Sequence, residues 1–461
     1  MRAGLALRSR VPETPHPKVL LVGQSLQGRA VKGAGSVPPS VPLSFMAAAS
    51  AGLVGCGVAF VWSSRAAVVD PTADPVVAAV HLGVLATLSM GVLGAMHHFI
   101  PLLTHRPLRS VALARVTFWC WLGAAWLLPV GVATGDEAVV EAGGGLAAAA
   151  ITLAVLNLSA PLGAGGRGAS LTGMRLALAG FVATAGYGLV YVADRRGGWF
   201  DLSGQVVLAH AVVGLFAWLG LAYVSVAEKL WPMFLLTQVS GRRIAPWVAV
   251  LAMPAGVALL SPGLLTGLAV LAWVGAAMLA AGLGAHLASL ATHLRHRRRS
   301  GGLDLLFVVT SALFLPVAAG FALAGVVIAP HRHHLGAALI AAAVAAAGGW
   351  LLVALVGFAH KVAAFIVWPA LRSRGVRCGP RGETLQFSDL FDGRLAVCAY
   401  ACVTGGVVGL CAGFAASVAA LIGVGGGLLV ATAMVTAANL TLVPLRRLRA
   451  RRRAGYLVAN P

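Results

Sequence analysis

Runs of about 20 apolar residues follow one another along almost the whole chain, broken by short loops that hold most of the charge. Twenty residues of α-helix rise about 30 Å, which is the thickness of a bilayer's hydrocarbon core. A backbone in that medium must satisfy its own N–H and C=O groups, so only helices or a closed barrel can cross. The runs are about twice the length of a barrel strand, and therefore predict helices. Twelve spans are expected, at about 42–63, 76–103, 110–133, 142–162, 172–193, 203–235, 245–261, 264–291, 304–329, 334–360, 394–415 and 418–443. Spans 7 and 8 are divided only by Ser261-Pro262-Gly263. Charged residues make up 10% of the 461, against about 25% in a soluble domain. The chain reads as an all-α polytopic membrane protein.

The net charge of +21 could suggest a nucleic-acid partner, but its layout argues for none. The basic residues lie in loops and tails, with no continuous soluble face to hold them. With the N-terminus inside, 30 of the 34 Lys and Arg fall on the cytoplasmic side, leaving Arg65, Arg195, Arg196 and Arg332. That asymmetry predicts cytoplasmic termini in the plasma (inner) membrane, with the lipid bilayer as the main partner. Residues 1–41 are rich in Pro, Gly and Ser and are expected to form a disordered basic tail. Residues 444–461 form a second basic tail, and the runs 295–299 and 446–453 read as topology anchors. The six cysteines form no CxxC pair and are expected to be small core residues.

Three helix ends share a pattern. They are Gly94-Ala-Met-His97-His98, Ser225-Val-Ala-Glu228-Lys229 and Gly357-Phe-Ala-His360-Lys361. Each has a small residue, two spacers and a polar pair. The step from Gly94 to Ser225 matches the step from Ser225 to Gly357 to within a single position. Such self-similarity predicts three units of four helices, about 42–162, 172–291 and 304–443. A position that accepts His or Glu behaves as a polar helix end at the membrane interface, in reach of headgroups. His97, His98, Glu228 and His360 are accordingly expected at an interface, or on a proton path. Glu228 would pair with Lys229. On a straight helix it also shares a face with His210, about five whole turns earlier.

Most of the 13 histidines, including His286 and His293, are expected at interfaces or in loops. His81 in span 2 and His210 in span 6 are not, and an ionisable side chain inside a span is a functional candidate by default. His81 precedes His97, and His210 precedes Glu228, by about 25 Å along the helix axis. The two histidines are thus at similar depth, and neutral imidazole is a good ligand for iron or copper. Span 10 has no histidine at that depth. Its nearest are His331, His333 and His334, which could cap such a site, bind a metal at the surface, or simply form a wet loop.

The runs HLGVLATLSMGVLGAMHHFIP, HAVVGLFAWLGLAYVSVAEKLWP and HKVAAFIVW resemble the haem-copper oxidase subunit I superfamily, and its divergent NnrS-like branch in particular. The likeness covers about residues 42–443. It implies twelve helices in three arcs of four, with haem and copper as cofactors. His81 would be an axial ligand of a low-spin haem, and His210 a ligand of the copper beside a second haem. Departures are also plain. Val206 stands where a glutamate is usual, span 7 has no histidine pair, and His331 and His333 have the span-10 ligand spacing but lie too early. The resemblance thus implies a degenerate member that binds haem, with or without copper. It would act in redox chemistry, in response to nitric oxide or other diatomics, or in cofactor handling. A terminal oxidase would be incomplete. If an enzyme, it would be a haem-dependent membrane oxidoreductase with a membrane or periplasmic-side redox partner. The competing readings are a small-solute transporter and a cofactor-free membrane assembly protein. No phosphate-binding loop, HExxH or nucleophile triad is visible.

Overall fold

The computed structural model describes residues 37–198, 205–237, 239, 243–298, 302–328, 332–373, 385 and 387–458. Among them are twelve helices long and apolar enough to cross a membrane. These are α1 Ser40–Val69, α2 Asp74–Thr104, α3 Val111–Thr134, α4 Glu137–Ala164, α5 Ala169–Asp194, α6 Val206–Leu235, α7 Ala245–Thr266, α8 Ala269–Arg295, α9 Leu303–Val326, α10 Gly336–Arg372, α11 Gly393–Ala415 and α12 Ala419–Leu442. Their apolar side chains cover all sides, as expected where lipid and protein core are both oily.

Two boundaries differ from expectation. Helix α7 runs through Ser261-Pro262-Gly263 and stops at Gly267, which adopts φ 70°. A positive φ is cheap only for glycine and closes a helix. The helix of α12 continues to Val458, because Arg, Leu and Ala in that tail are good helix formers. Positions 1–36 of the N-terminal tail lie outside the described residues.

Neighbour relations recur. Helix α1 packs on α2, α5 on α6 and α9 on α10, while α3–α4, α7–α8 and α11–α12 form tight hairpins. Helices α2, α6 and α10 are the most buried, with 61, 56 and 61% of their apolar windows inside the protein, against 22–39% for the rest. They also touch one another, so they form the centre.

Each central helix contains one π-helical stretch, at Leu82–Ser89, Val213–Gly220 and Ala345–Leu352. Their first residues, Leu82, Val213 and Ala345, repeat the spacing of the polar helix ends. A π turn leaves carbonyls loosely paired, and such stretches concentrate at functional places. Here Trp121 Nε1 donates to Leu85 O at 3.2 Å, and Trp218 Nε1 to Ser89 Oγ at 3.0 Å. The second bond ties the π stretch of α6 to that of α2.

The small residue of each polar motif has a packing cause. A Cβ on Gly94 would lie 2.5 Å from Phe45 Cβ, and one on Gly357 would lie 2.5 Å from Phe307 Cβ. In the middle unit the sizes are exchanged: Ser225 faces Gly173. The GVGGG run at 423–427 acts similarly, since Gly425 meets Leu410 of α11 and Gly426 meets Gly57 and Phe60 of α1. Five cysteines are free. Cys56 and Cys411 are buried as expected, but Cys398 is exposed. Cys378 lies outside the described residues.

Candidate functional site

His81 ends the first α-helical part of α2, and His210 lies three residues before the π stretch of α6. The structure brings them together. Their ring centroids are 6.4 Å apart and the planes differ by 16°. His81 Nδ1 lies 2.8 Å from Val77 O. A carbonyl can only accept, so Nδ1 carries the proton and Nε2 keeps a free lone pair. His210 is bonded to the backbone of Thr184, and its Nδ1 is buried without a partner. The ring rests beside Gly188, where a Cβ would come within 3.2 Å of Cε1. Two imidazoles, each oriented by a backbone carbonyl and each with one free nitrogen, form the arrangement that protein metal ligands use.

The pair can be tested against the cofactors implied by the resemblance. Two metal–nitrogen bonds of about 2 Å span about 4 Å, and adding about 1 Å to each ring centre gives about 6 Å. The ring centres are 6.4 Å apart, and His81 Nε2 and His210 Nδ1 are the nitrogens that would hold a haem iron, which would supply one-electron redox chemistry. No group of three or more His, Cys, Asp or Glu in metal-binding reach occurs among the described residues. His331 lies outside the described residues. His333 and His334 fall in the first turn of the helix Arg332–Val344. The resemblance divides His81 and His210 between two metals, whereas here their rings are neighbours.

At the other end of the central helices, His97, Glu228 and His360 are 0%, 6% and 4% exposed, so their side chains lie inside the protein. His97 stacks on Phe45 at 5.6 Å, and His360 tilts on Phe307 at 6.3 Å. Their Nδ1 atoms lie 2.8 Å from Leu93 O and Val356 O, and both Nε2 atoms are buried without a partner. Burial here depends on rings from neighbouring helices, which a single helix's pattern does not show. His98 is half-buried against Phe99 and Phe365. Lys361 pairs with Asp304 and lies over Phe234.

Glu228 pairs with Arg243 at 3.2 Å, while Lys229 is exposed. The same Arg243 Nη2 reaches Ser289 Oγ at 2.7 Å and His293 Nε2 at 2.9 Å, and His293 Nδ1 bonds Thr237 Oγ1 at 2.7 Å. His286 and His293, expected at interfaces, are each 1% exposed. The signal that could have found them is their spacing with Ser289, which puts all three on one face of α8. Nor does the shared face of His210 and Glu228 hold, because the stretch Val213–Gly220 between them is wound as π-helix.

In the first and third units that place is filled differently. Asn157 Oδ1 accepts from Ser110 N at 2.9 Å, and Asn439 Oδ1 accepts from Asp392 N at 2.7 Å. Each asparagine thereby satisfies the first turn of the preceding hairpin helix, and both pairs are 47 residues apart.

The chain matches no family model and no curated protein sequence. The chemistry available is therefore that of the residues themselves: a neighbouring imidazole pair at one end of the central helices, and buried, partly unpaired polar groups at the other.

Proposed function

We propose that the protein is a degenerate haem-copper-oxidase-like membrane protein that holds one haem between His81 and His210 and works in electron transfer. The observation that supports this reading is the closeness of the two imidazoles, with ring centres 6.4 Å apart and one nitrogen of each left unbonded. A haem bound there would supply one-electron redox chemistry. His81 would bind through Nε2, with its Nδ1–H held by Val77 O. His210 would bind through Nδ1, the nitrogen left without a partner. The chain's own part is to fix both rings and to exclude water with the apolar helices around them. With both histidines engaged by the haem, the chain would favour electron transfer over capture of a diatomic gas. The twelve helices would form three arcs of four in the plasma membrane, with the basic loops and both termini on the cytoplasmic side.

The test is an absorbance spectrum of the detergent-purified protein, oxidised and dithionite-reduced. The expected result is a Soret band that shifts on reduction and is lost in both His81→Ala and His210→Ala. A protein that stays colourless after haem supplementation would overturn the reading in favour of a transporter or a cofactor-free assembly protein. A band that survives both substitutions would move the haem elsewhere.

A further inference from the structure

Helix α11 carries the run Cys398-Ala399-Tyr400-Ala401-Cys402. Residues four apart on a helix lie one above the other on the same side. The opposite side of α11 is fixed by packing. Ala399 and Val403 are 0% exposed, Tyr400 meets Phe307 of α9 edge-on at 5.1 Å, and its hydroxyl lies 2.8 Å from Thr310 Oγ1. The two cysteines are therefore turned outward. Cys398 is exposed and Cys402 half-buried. Their thiols are hydrogen-bonded to each other.

Cysteine is among the most buried residue types, so a small-core role leaves an outward pair unexplained. Where packing does not account for a cysteine, its reactivity does. Two sulfurs already in contact on a rigid helix form a ready chelate, which side-chain rotation alone can open to admit an ion. The number of ligands then selects the ion. Among the described residues no third His, Cys, Asp or Glu completes a group with this pair. A closed zinc site takes four ligands. Soft thiolates select Cu(I), which is content with two. Charge balance points the same way. Two thiolates around Cu(I) carry a single negative charge. Arg394, exposed, stands one turn before Cys398 on the same side, where α11 begins at Gly393. Its long side chain can follow the helix surface to offset that charge.

We propose that Cys398 and Cys402 form a two-coordinate site for a soft monovalent metal ion, Cu(I), with Arg394 as the compensating cation. Each thiol releases its proton to solvent, two copper–sulfur bonds form, and the metal stays Cu(I). The site is on a different helix from every ligand that the resemblance implies, and it does not depend on His81 or His210.

The experiment titrates the full-length, detergent-purified protein with Cu(I), under anaerobic reducing conditions, against a chromogenic Cu(I) chelator. The expected result is one Cu(I) per chain with an ultraviolet thiolate-to-metal band, both lost in Cys398→Ser and in Cys402→Ser. Cys120→Ser, on α3, should keep both. Arg394→Gln should weaken binding about threefold, the worth of an exposed charge pair. In the unaltered chain, Cu(I) should protect Cys398 and Cys402 from alkylation, mapped by mass spectrometry, which decides the matter even where a variant fails to fold. Copper binding that survives loss of both cysteines, or alkylation that Cu(I) does not slow, would overturn the proposal. Any Soret band should stay unchanged in the cysteine variants, so this test and that of the histidine pair fail separately.

Discussion

The first and third units are more alike than either is like the second. In both, a phenylalanine of the leading helix fills the space beside a glycine of the central helix. In both, a histidine ring lies against that phenylalanine, and an asparagine 47 residues after the start of the hairpin, at Ser110 or Asp392, accepts that residue's N–H. The second unit inverts the size pair to Gly173 and Ser225, and replaces histidine and asparagine by Glu228, Arg243, Ser289 and His293. The framework is thus common to all three while the polar content of one has diverged. Backbone contacts tolerate few residues, whereas a polar socket accepts any set that satisfies its own hydrogen bonds.

This comparison can be broken most severely at the shared helix contacts. Gly52 of α1 and Gly180 of α5 each press on a backbone carbonyl of the next helix, at Ala86 and Ala217. Gly52→Val and Gly180→Val should each cost about 3 kcal/mol or more, the upper end for overpacking. Thermal unfolding in detergent, or loss of the monodisperse peak, would read this. Equal melting temperatures would show that the contact is dispensable.

The polar socket of the second unit comes next. Arg243→Ala leaves Glu228 buried without its ion-pair partner, with Ser289 still in hydrogen-bond reach. The loss should be about 2 kcal/mol, less than the ~3–5 kcal/mol of a fully buried pair because the Arg243 side chain is 25% exposed. Adding Glu228→Gln should recover at least half of it. A double variant no better than the single one would mean that Arg243 acts through Ser289 and His293 instead.

The exchanged sizes give a sharper test. Gly173→Phe alone should overpack against Ser225 and Val250 by about 1–3 kcal/mol. Combined with Ser225→Gly, it reproduces the arrangement of the other units, and the two changes should couple favourably by about 1 kcal/mol. Strict additivity would sever the proposed equivalence. The smallest effects belong to the hairpin caps. Asn157→Ala should cost about 1 kcal/mol. Asn439→Ala, which also loses the bond from Nδ2 to Asp392 O, should cost about 2 kcal/mol. Equal losses would show that the second bond contributes nothing.

The twelve helices were legible because span length and basic loops are properties of the chain itself. The even spacing of Gly94, Ser225 and Gly357 also pointed to matching positions. The burial of His97 was not legible, because Phe45 supplies it from another helix. Nor was the Glu228–Arg243 pair, since Arg243 is reached only after the chain turns back from α6 to α7. His81 and His210 could be placed at similar depth, but only packing could bring their rings within 6.4 Å of each other. The π stretches LGVLATLS, VGLFAWLG and AAAGGWLL share no residue pattern that announces them.

Those stretches have a geometric consequence. A π stretch takes more residues per turn than the α-helix on either side, so it acts as a phase shifter within a rigid rod. Whatever azimuth a residue has before Leu82, Val213 or Ala345, the residues beyond are rotated by an amount that an unbroken α-helix would not give. One end of each central helix can therefore aim at one neighbour while the other end aims at a different one. Shortening such a stretch by a single residue would turn His97, Glu228 or His360 away from its socket and leave the opposite end in place.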